Sequence, residues 1–238
     1  MSDLASAQRG ALAQSAMTDV SAPPTSSDSA EPRQASSEQR DRILATMESV
    51  VADRGYADTT VVEVITRAGI SSKTFYKHFS SKEDAFRAAL RVQAERVLTQ
   101  TIQASKQAQD WRERVQLSLQ ELLRFIAESP TLARMGIVEI QLAGPEAVAE
   151  YQRWLRRYAD SLAPRPGDRS SATSARAGVS DQIAGGISQL LYEQLSDDES
   201  PPLTHLLPAL LEIALAPHIG PRQAAAFIAD HTAMTTRA

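Results

Sequence analysis

The chain has 238 residues, enough for one or two domains with a buried core of their own. It has no cysteine, which excludes thiolate nucleophiles, cysteine-based zinc sites and a disulfide framework. With 25 basic against 29 acidic side chains and a net charge of -4, it is not coated in basic surface, so any contact with nucleic acid has to come from a local concentration of positive charge.

Residues 1–37 lack Phe, Trp, Tyr and Ile and are rich in Ser, Ala, Pro and Gln. Such a segment buries too little apolar area to offset its chain entropy, so the expectation is a disordered N-terminal extension. No apolar run follows a basic start in this segment, and nowhere do 18 apolar residues stand in a row. The expectation is a soluble, cytoplasmic protein with no membrane partner.

From Ser37 the pattern turns helical, with Ile43, Leu44, Met47, Val50 and Val51 on one stripe at spacings of three and four. A helix over residues 38–54 is predicted, closed by Gly55 as a left-handed cap. Thr60 and Glu63 have capping-box spacing at the start of a short second helix that ends at Gly69. Ser71 is the predicted N-cap of a third helix ending near Phe79, and Ser81 with Asp84 opens a long fourth reaching about residue 105. Further helices are predicted over residues 110–128, 131–142, 145–162, 172–196, 202–217 and 221–235, with Pro208 kinking the one that contains it. The fold class is therefore all-α, divided into residues 38–85 and 86–238.

The second and third helices enclose a charge anomaly. No carboxylate occurs between Glu63 and Glu83, while Arg67, Lys73, Lys77, His78 and Lys82 all do. Helix, glycine turn, helix is the arrangement that lays a second helix in the DNA major groove while the first crosses the backbone. On a helical wheel Phe75 and Phe79 point inward, which leaves Lys73, Thr74, Tyr76 and Lys77 on the outer half. Ser72, Lys73 and Thr74 occupy the first turn, where base edges are reached. Tyr76, Lys77, His78 and Lys82 suit phosphates, as do the helix N-termini near Thr60 and Lys82.

The stretch TTVVEVITRAGISSKTFYKHFSSKEDAF resembles the signature of the TetR family of transcriptional regulators. The resemblance rests on Thr59-Thr60, the turn Ala68-Gly69-Ile70-Ser71, Thr74, the cluster Phe75-Tyr76-x-His78-Phe79, and Ser81-Lys82-Glu83. It adds Thr59 and Thr60 to the expected DNA-binding residues. Two positions depart from the family habit: Lys73 stands where glycine is frequent and Thr66 where alanine is, so the base contact at Lys73 is this chain's own.

The resemblance implies a DNA-binding domain over 38–85 and a helical regulatory domain over 86–238, in a repressor released from a palindromic operator by a small-molecule effector, with the regulatory domain dimerising through its last large helices. The apolar side chains allow this. Ile183, Ile187, Leu190 and Leu191, with Leu203, Leu207, Leu210 and Leu211, make two segments too apolar for surface helices, read as a homodimer seam against the alternative of an internal core seam. Gly185-Gly186 would permit close helix approach. Tyr151, Trp154 and Tyr158 recur at helical spacing and, with Trp111, Phe125 and Met135, are the candidate pocket wall, although such a stripe also suits ordinary core.

No catalytic constellation, phosphate loop or metal-ligand spacing is present, so no enzyme activity, cofactor or metal is expected. Two other classes remain: a helical enzyme or ligand carrier with a remnant DNA-binding motif, and a helical protein-interaction adaptor. Neither requires salt-dependent, sequence-selective DNA binding.

Overall fold

A computed structural model describes residues 31–168, 178–197 and 202–235, without the side chains of 31–33 and 231–235. Among these residues ten α-helices occur and no strand: α1 Glu31–Arg54, α2 Val61–Ala68, α3 Ser72–His78, α4 Lys82–Ala104, α5 Trp111–Glu128, α6 Pro130–Ile137, α7 Pro145–Leu162, α8 Val179–Ser196, α9 Leu207–Ile219 and α10 Pro221–Thr235. Short 3-10 turns follow α4 and α6 and precede α9. Residues Glu38–Ala238 form a compact unit, and the account below concerns its described part.

Three local expectations change. α1 begins at Glu31, seven residues earlier than the apolar stripe suggested, because Pro32 is tolerated in a first turn and the following polar residues do not oppose a helix. The rest of the predicted disordered extension, residues 1–30, lies outside the described residues, as do residues 172–177 of the predicted 172–196 helix. Pro208 does not kink a helix interior: it sits in the first turn of α9, where the missing N–H costs nothing, and a 3-10 turn over Leu203–Leu206 leads into it. The helix predicted over 131–142 divides into α6 and a 3-10 turn over Glu139–Leu142.

Two apolar clusters organise the unit. The first joins α1, α2, α3 and the start of α4 through Ile43, Met47, Val50, Val64, Phe75 and Phe86, all with no exposed surface, and extends to Met135, Ile140 and Ala147. The second gathers the end of α4 with α5, α7, α8, α9 and α10 around Leu119, Tyr158, Ile183, Ile187 and Leu210. α4 takes part in both, and so does Tyr151 of α7, which packs against each.

Candidate nucleic-acid interface and internal cavity

The reading head is built by caps. Thr60 Oγ1 accepts from Glu63 N at 3.2 Å, Ser71 Oγ from Thr74 N at 3.1 Å and Ser81 Oγ from Asp84 N at 3.2 Å, so three helices in succession open with a side-chain acceptor on an otherwise orphaned amide. Gly69, at φ 63°, ends α2 in the left-handed region, and Ile70 N reaches back to Ile65 O at 3.1 Å. This turn aims α3. Phe75 is fully buried beneath it and Phe79 nearly so, which leaves Ser72, Lys73, Tyr76 and Lys77 exposed on its outer half. Val62 of α2 is 68% exposed beside them, an apolar side chain that nothing inside the fold uses.

Arg67 is not free to add to this surface, since it pairs with both Asp53 and Glu63. Lys82 donates from Nζ to Tyr56 O at 3.1 Å and lies 4.2 Å from the Tyr56 ring centre, so it fastens the start of α4 to the turn after α1. Arg40 of α1 lies 5.3 Å from the Phe79 ring centre and brings a further cation toward α3. Burial, Lys77 and Arg40 together hold the His78 imidazole below its usual pKa, so at neutral pH it carries no charge.

A cavity of about 300 Å³ lies between α4, α5, α6, α7 and α8. Phe125, Leu122, Ile137, Trp154, Tyr158 and Ile187 give it an apolar interior. The polar groups of its wall are largely spoken for: Trp154 Nε1 donates to Ala94 O at 2.8 Å, the hydroxyls of Tyr151 and Ser188 lie 3.3 Å apart, and those of Tyr158 and Ser118 3.2 Å. Burial pushes the Tyr151 hydroxyl up to about 12 and the Tyr158 hydroxyl higher still, so both stay protonated.

The mouth is charged. Arg87 and Arg91 of α4 pair with Glu146 and Glu150 of α7, the second pair at 2.6 Å, while Glu95 of α4 pairs with Arg157 of α7, so the polarity reverses along the seam. The Arg157 guanidinium holds the Glu95 carboxyl below the usual range. Two polar links lead from the cavity wall to the reading head. Gln93 donates from Nε2 to Glu48 Oε1 at 2.8 Å, and Glu139, which opens the 3-10 turn after α6, accepts from Tyr56 N at 2.9 Å.

Residues 43–89, the whole of α2 and α3 with their flanks, match the sequence profile of the bacterial regulatory proteins of the tetR family. The match is to the tetR family and covers the reading head alone. It is 27% identical over 113 residues to the transcriptional activator FasR of Mycolicibacterium smegmatis, a match covering 48% of this chain and 52% of that protein. The chain thus spans about half the length of the curated relatives it matches. Solved TetR-like structures share the fold over more of it. FadR of Bacillus halodurans, a fatty acid degradation regulator, superposes with a TM-score of 0.57 over 72% of this chain and 92% of its own at 19% identity. FadR of Bacillus subtilis, solved in complex with stearoyl-CoA, gives 0.56 over 74% and 97% at 18% identity.

Within this framework several expected residues move. Thr59 is not on the DNA face: it is 2% exposed and donates its hydroxyl to Gly55 O at 2.8 Å, holding the turn between α1 and α2. His78 Nε2 is buried without a partner, so this residue offers neither a charge nor that nitrogen to a phosphate. Thr60, Ser72, Lys73, Thr74, Tyr76, Lys77 and Lys82 remain at or near the surface.

Phe125, Tyr151, Trp154 and Tyr158 line the cavity. Trp111 does not: it is buried deeper in the second cluster, with Nε1 donating to Leu162 O at 2.7 Å and its ring edge-on to His218. Met135 belongs to the first cluster, on the far side of α6 from the cavity.

Most of the expected seam is used inside the single chain. Ile183, Ile187, Leu191, Leu210 and Leu211 are each no more than 2% exposed within the single chain, because α8 and α9 turn their leucines toward α5 and α7. Leu190, Leu203 and Leu207 are half-buried against the same core. The close approach at Gly186 is internal too, since a Cβ there would lie 2.9 Å from Ile213 of α9. The face of α8 and α9 left outward carries Gly185, Tyr192, Ala209, Ile213 and Pro217. Sequence reading missed this shallow face because its small residues carry little hydropathy.

Proposed function

We propose that the protein is a DNA-binding transcriptional regulator that acts as a homodimer, occupies a palindromic operator through two α3 helices, and is released when a small effector fills the cavity. The observation that carries the reading is the outward row Lys73, Tyr76 and Lys77 on a helix fixed from beneath by Phe75. One such helix reads a single half-site, so a two-fold assembly is needed to read a palindrome. The outward face of α8 and α9 is the surface offered for it, in place of the buried leucines. Ser72, Lys73 and Thr74 contact base edges, whereas Thr60, Tyr76, Lys77 and Lys82 contact phosphates.

The effector has a predominantly apolar body, as the cavity wall requires. FadR in complex with stearoyl-CoA supports a long apolar chain as the first class to test in this fold. The ligand acts by linkage: one that prefers the state with misplaced α3 helices weakens DNA binding by the ratio of its affinities for the two states. No catalysis or cofactor enters this account, and the protein works in the cytoplasm beside its DNA.

Selection of DNA from a random pool by the purified chain, followed by footprinting, tests the reading. An inverted repeat with half-sites about one helical turn or slightly more apart is expected. Failure to enrich any sequence would return the chain to the carrier and adaptor classes. Ala209→Glu, on the exposed face, should yield a folded monomer with much weaker operator binding. An activator is the second reading, favoured by the name of FasR, and transcription in vitro from a promoter carrying the selected site separates the two.

A further inference from the structure

The cavity's interior and its mouth differ in chemistry. Of its charged lining residues, four are arginines, Arg87, Arg91, Arg153 and Arg157, against two glutamates, Glu95 and Glu150, in a chain whose net charge is -4. All stand on α4 or α7. The side chains of Arg91 and Arg157 are 59% and 56% exposed, so the cavity opens to water along this seam. Arg153 lies between Glu150 and Arg157 on the same face of α7, and among the described residues it has no ion-pair partner. Three cations therefore stand around one opening with two carboxylates to share.

From this we infer that Arg91, Arg153 and Arg157 form a headgroup subsite for an anionic ligand whose apolar tail fills the cavity. The effector class is an amphipathic anion, such as a long-chain carboxylate or phosphate ester. This rests on the proposed function only in taking the cavity as a ligand site. Arginine presents a planar fork of donors that matches a carboxylate or phosphate in two places at once. The existing pairs with Glu150 and Glu95 are solvent-exposed and therefore weak, so an incoming anion replaces them at little cost. Gln93 Oε1, buried in the wall without a partner, is an acceptor left for a polar group further along the ligand.

Two probes with the same tail isolate the headgroup: dodecanoate and 1-dodecanol, titrated into the full chain below their aggregation limits. Trp154 reports filling, since it stacks on Tyr158 at 5.9 Å in the cavity wall. The carboxylate should bind about tenfold tighter than the alcohol, and the advantage should shrink as salt rises. Arg153→Ala and Arg157→Ala should each reduce that advantage while leaving dodecanol unchanged. Both side chains are exposed, so folding should survive, and circular dichroism checks it. Equal affinity for the two probes in the unmodified protein would overturn the subsite. So would variants that weaken both probes alike, or failure of dodecanoate to bind. The outcome is separable from the regulator reading: a chain that discriminates the probes yet enriches no DNA keeps the subsite and loses the operator.

Discussion

The reading head and the helices around the cavity are held by polar contacts of different reach. In the head, the capping bonds that open and close its helices join residues three to five apart, such as Thr60 to Glu63, Ser71 to Thr74 and Ile65 to Ile70. Around the cavity they span 37 to 62 residues, as in Tyr151 with Ser188 and Arg157 with Glu95. A head built from local bonds keeps its shape while the rest rearranges. On the proposed function, a ligand would move α3 as a body without reshaping it.

The strongest way to break this comparison is Phe75→Ala. It removes a fully buried ring from beneath α3 and should lower stability by about 3–5 kcal/mol, with loss of operator binding. Chemical denaturation measures the first and titration of the selected DNA the second. Intact DNA binding with a small loss would mean that the caps alone hold the head.

Gly186→Ala acts on the other region. Its new methyl meets Ile213 at 2.9 Å, so α8 and α9 should be pushed apart at a cost of roughly 1–3 kcal/mol. Gly185→Ala meets nothing within 4 Å and should stabilise the chain by up to about 1 kcal/mol through helix propensity. A lowered midpoint at concentrations where the dimer forms would instead show that a methyl at this place in the outward face disturbs the contact between copies.

At the DNA surface, Lys73→Ala should cost roughly 1–3 kcal/mol on the best operator and far less on random DNA. Lys77→Ala should weaken both alike and lower the salt slope by about 1 per lost phosphate contact. Fluorescence anisotropy at several salt concentrations separates the two patterns.

The smallest effect concerns pH. Burial holds His218 below its usual pKa, so the unfolded chain takes up a proton near pH 6.5 while the folded chain does not. Stability from this residue is complete above that pH and lost as pH falls toward the folded value. His218→Leu should make the decline of the thermal midpoint between pH 7 and 5.5 shallower.

The same difference in reach decides what the sequence revealed. Gly69 and the capping residues Thr60, Ser71 and Ser81 were readable because each acts on a neighbour within five positions. The inward side of α3 followed from helical spacing alone. Thr59 misled because its burial depends on the shape of the turn above Gly55. The leucines of α8 and α9 misled because one apolar stripe serves an internal core as well as a seam, and only the packing of α5 and α7 against them decides. Trp111 and Met135 were grouped with the cavity by helix order, though each faces a different cluster. In sequence Arg153, Arg156 and Arg157 read as a solvated face from which one could pair with an anionic ligand, while the ion pairs of the mouth, 59 to 62 residues apart, left no signal.

The reversal of charge along the α4–α7 seam acts like the teeth of a key. Arg87, Arg91 and Glu95 meet Glu146, Glu150 and Arg157 in ascending order. Sliding α4 by one turn in one sense brings Glu95 toward Glu150, and in the other brings Arg91 toward Arg153 and Arg157. Each slide sets one like-charged contact against the attraction that survives, Arg91 with Glu146 or Arg87 with Glu150, so the ascending order favours the observed register by a small margin. Rotation about the seam leaves that order intact. Lys82 at the start of α4, fastened to Tyr56, ties the orientation of this helix to the turn after α1.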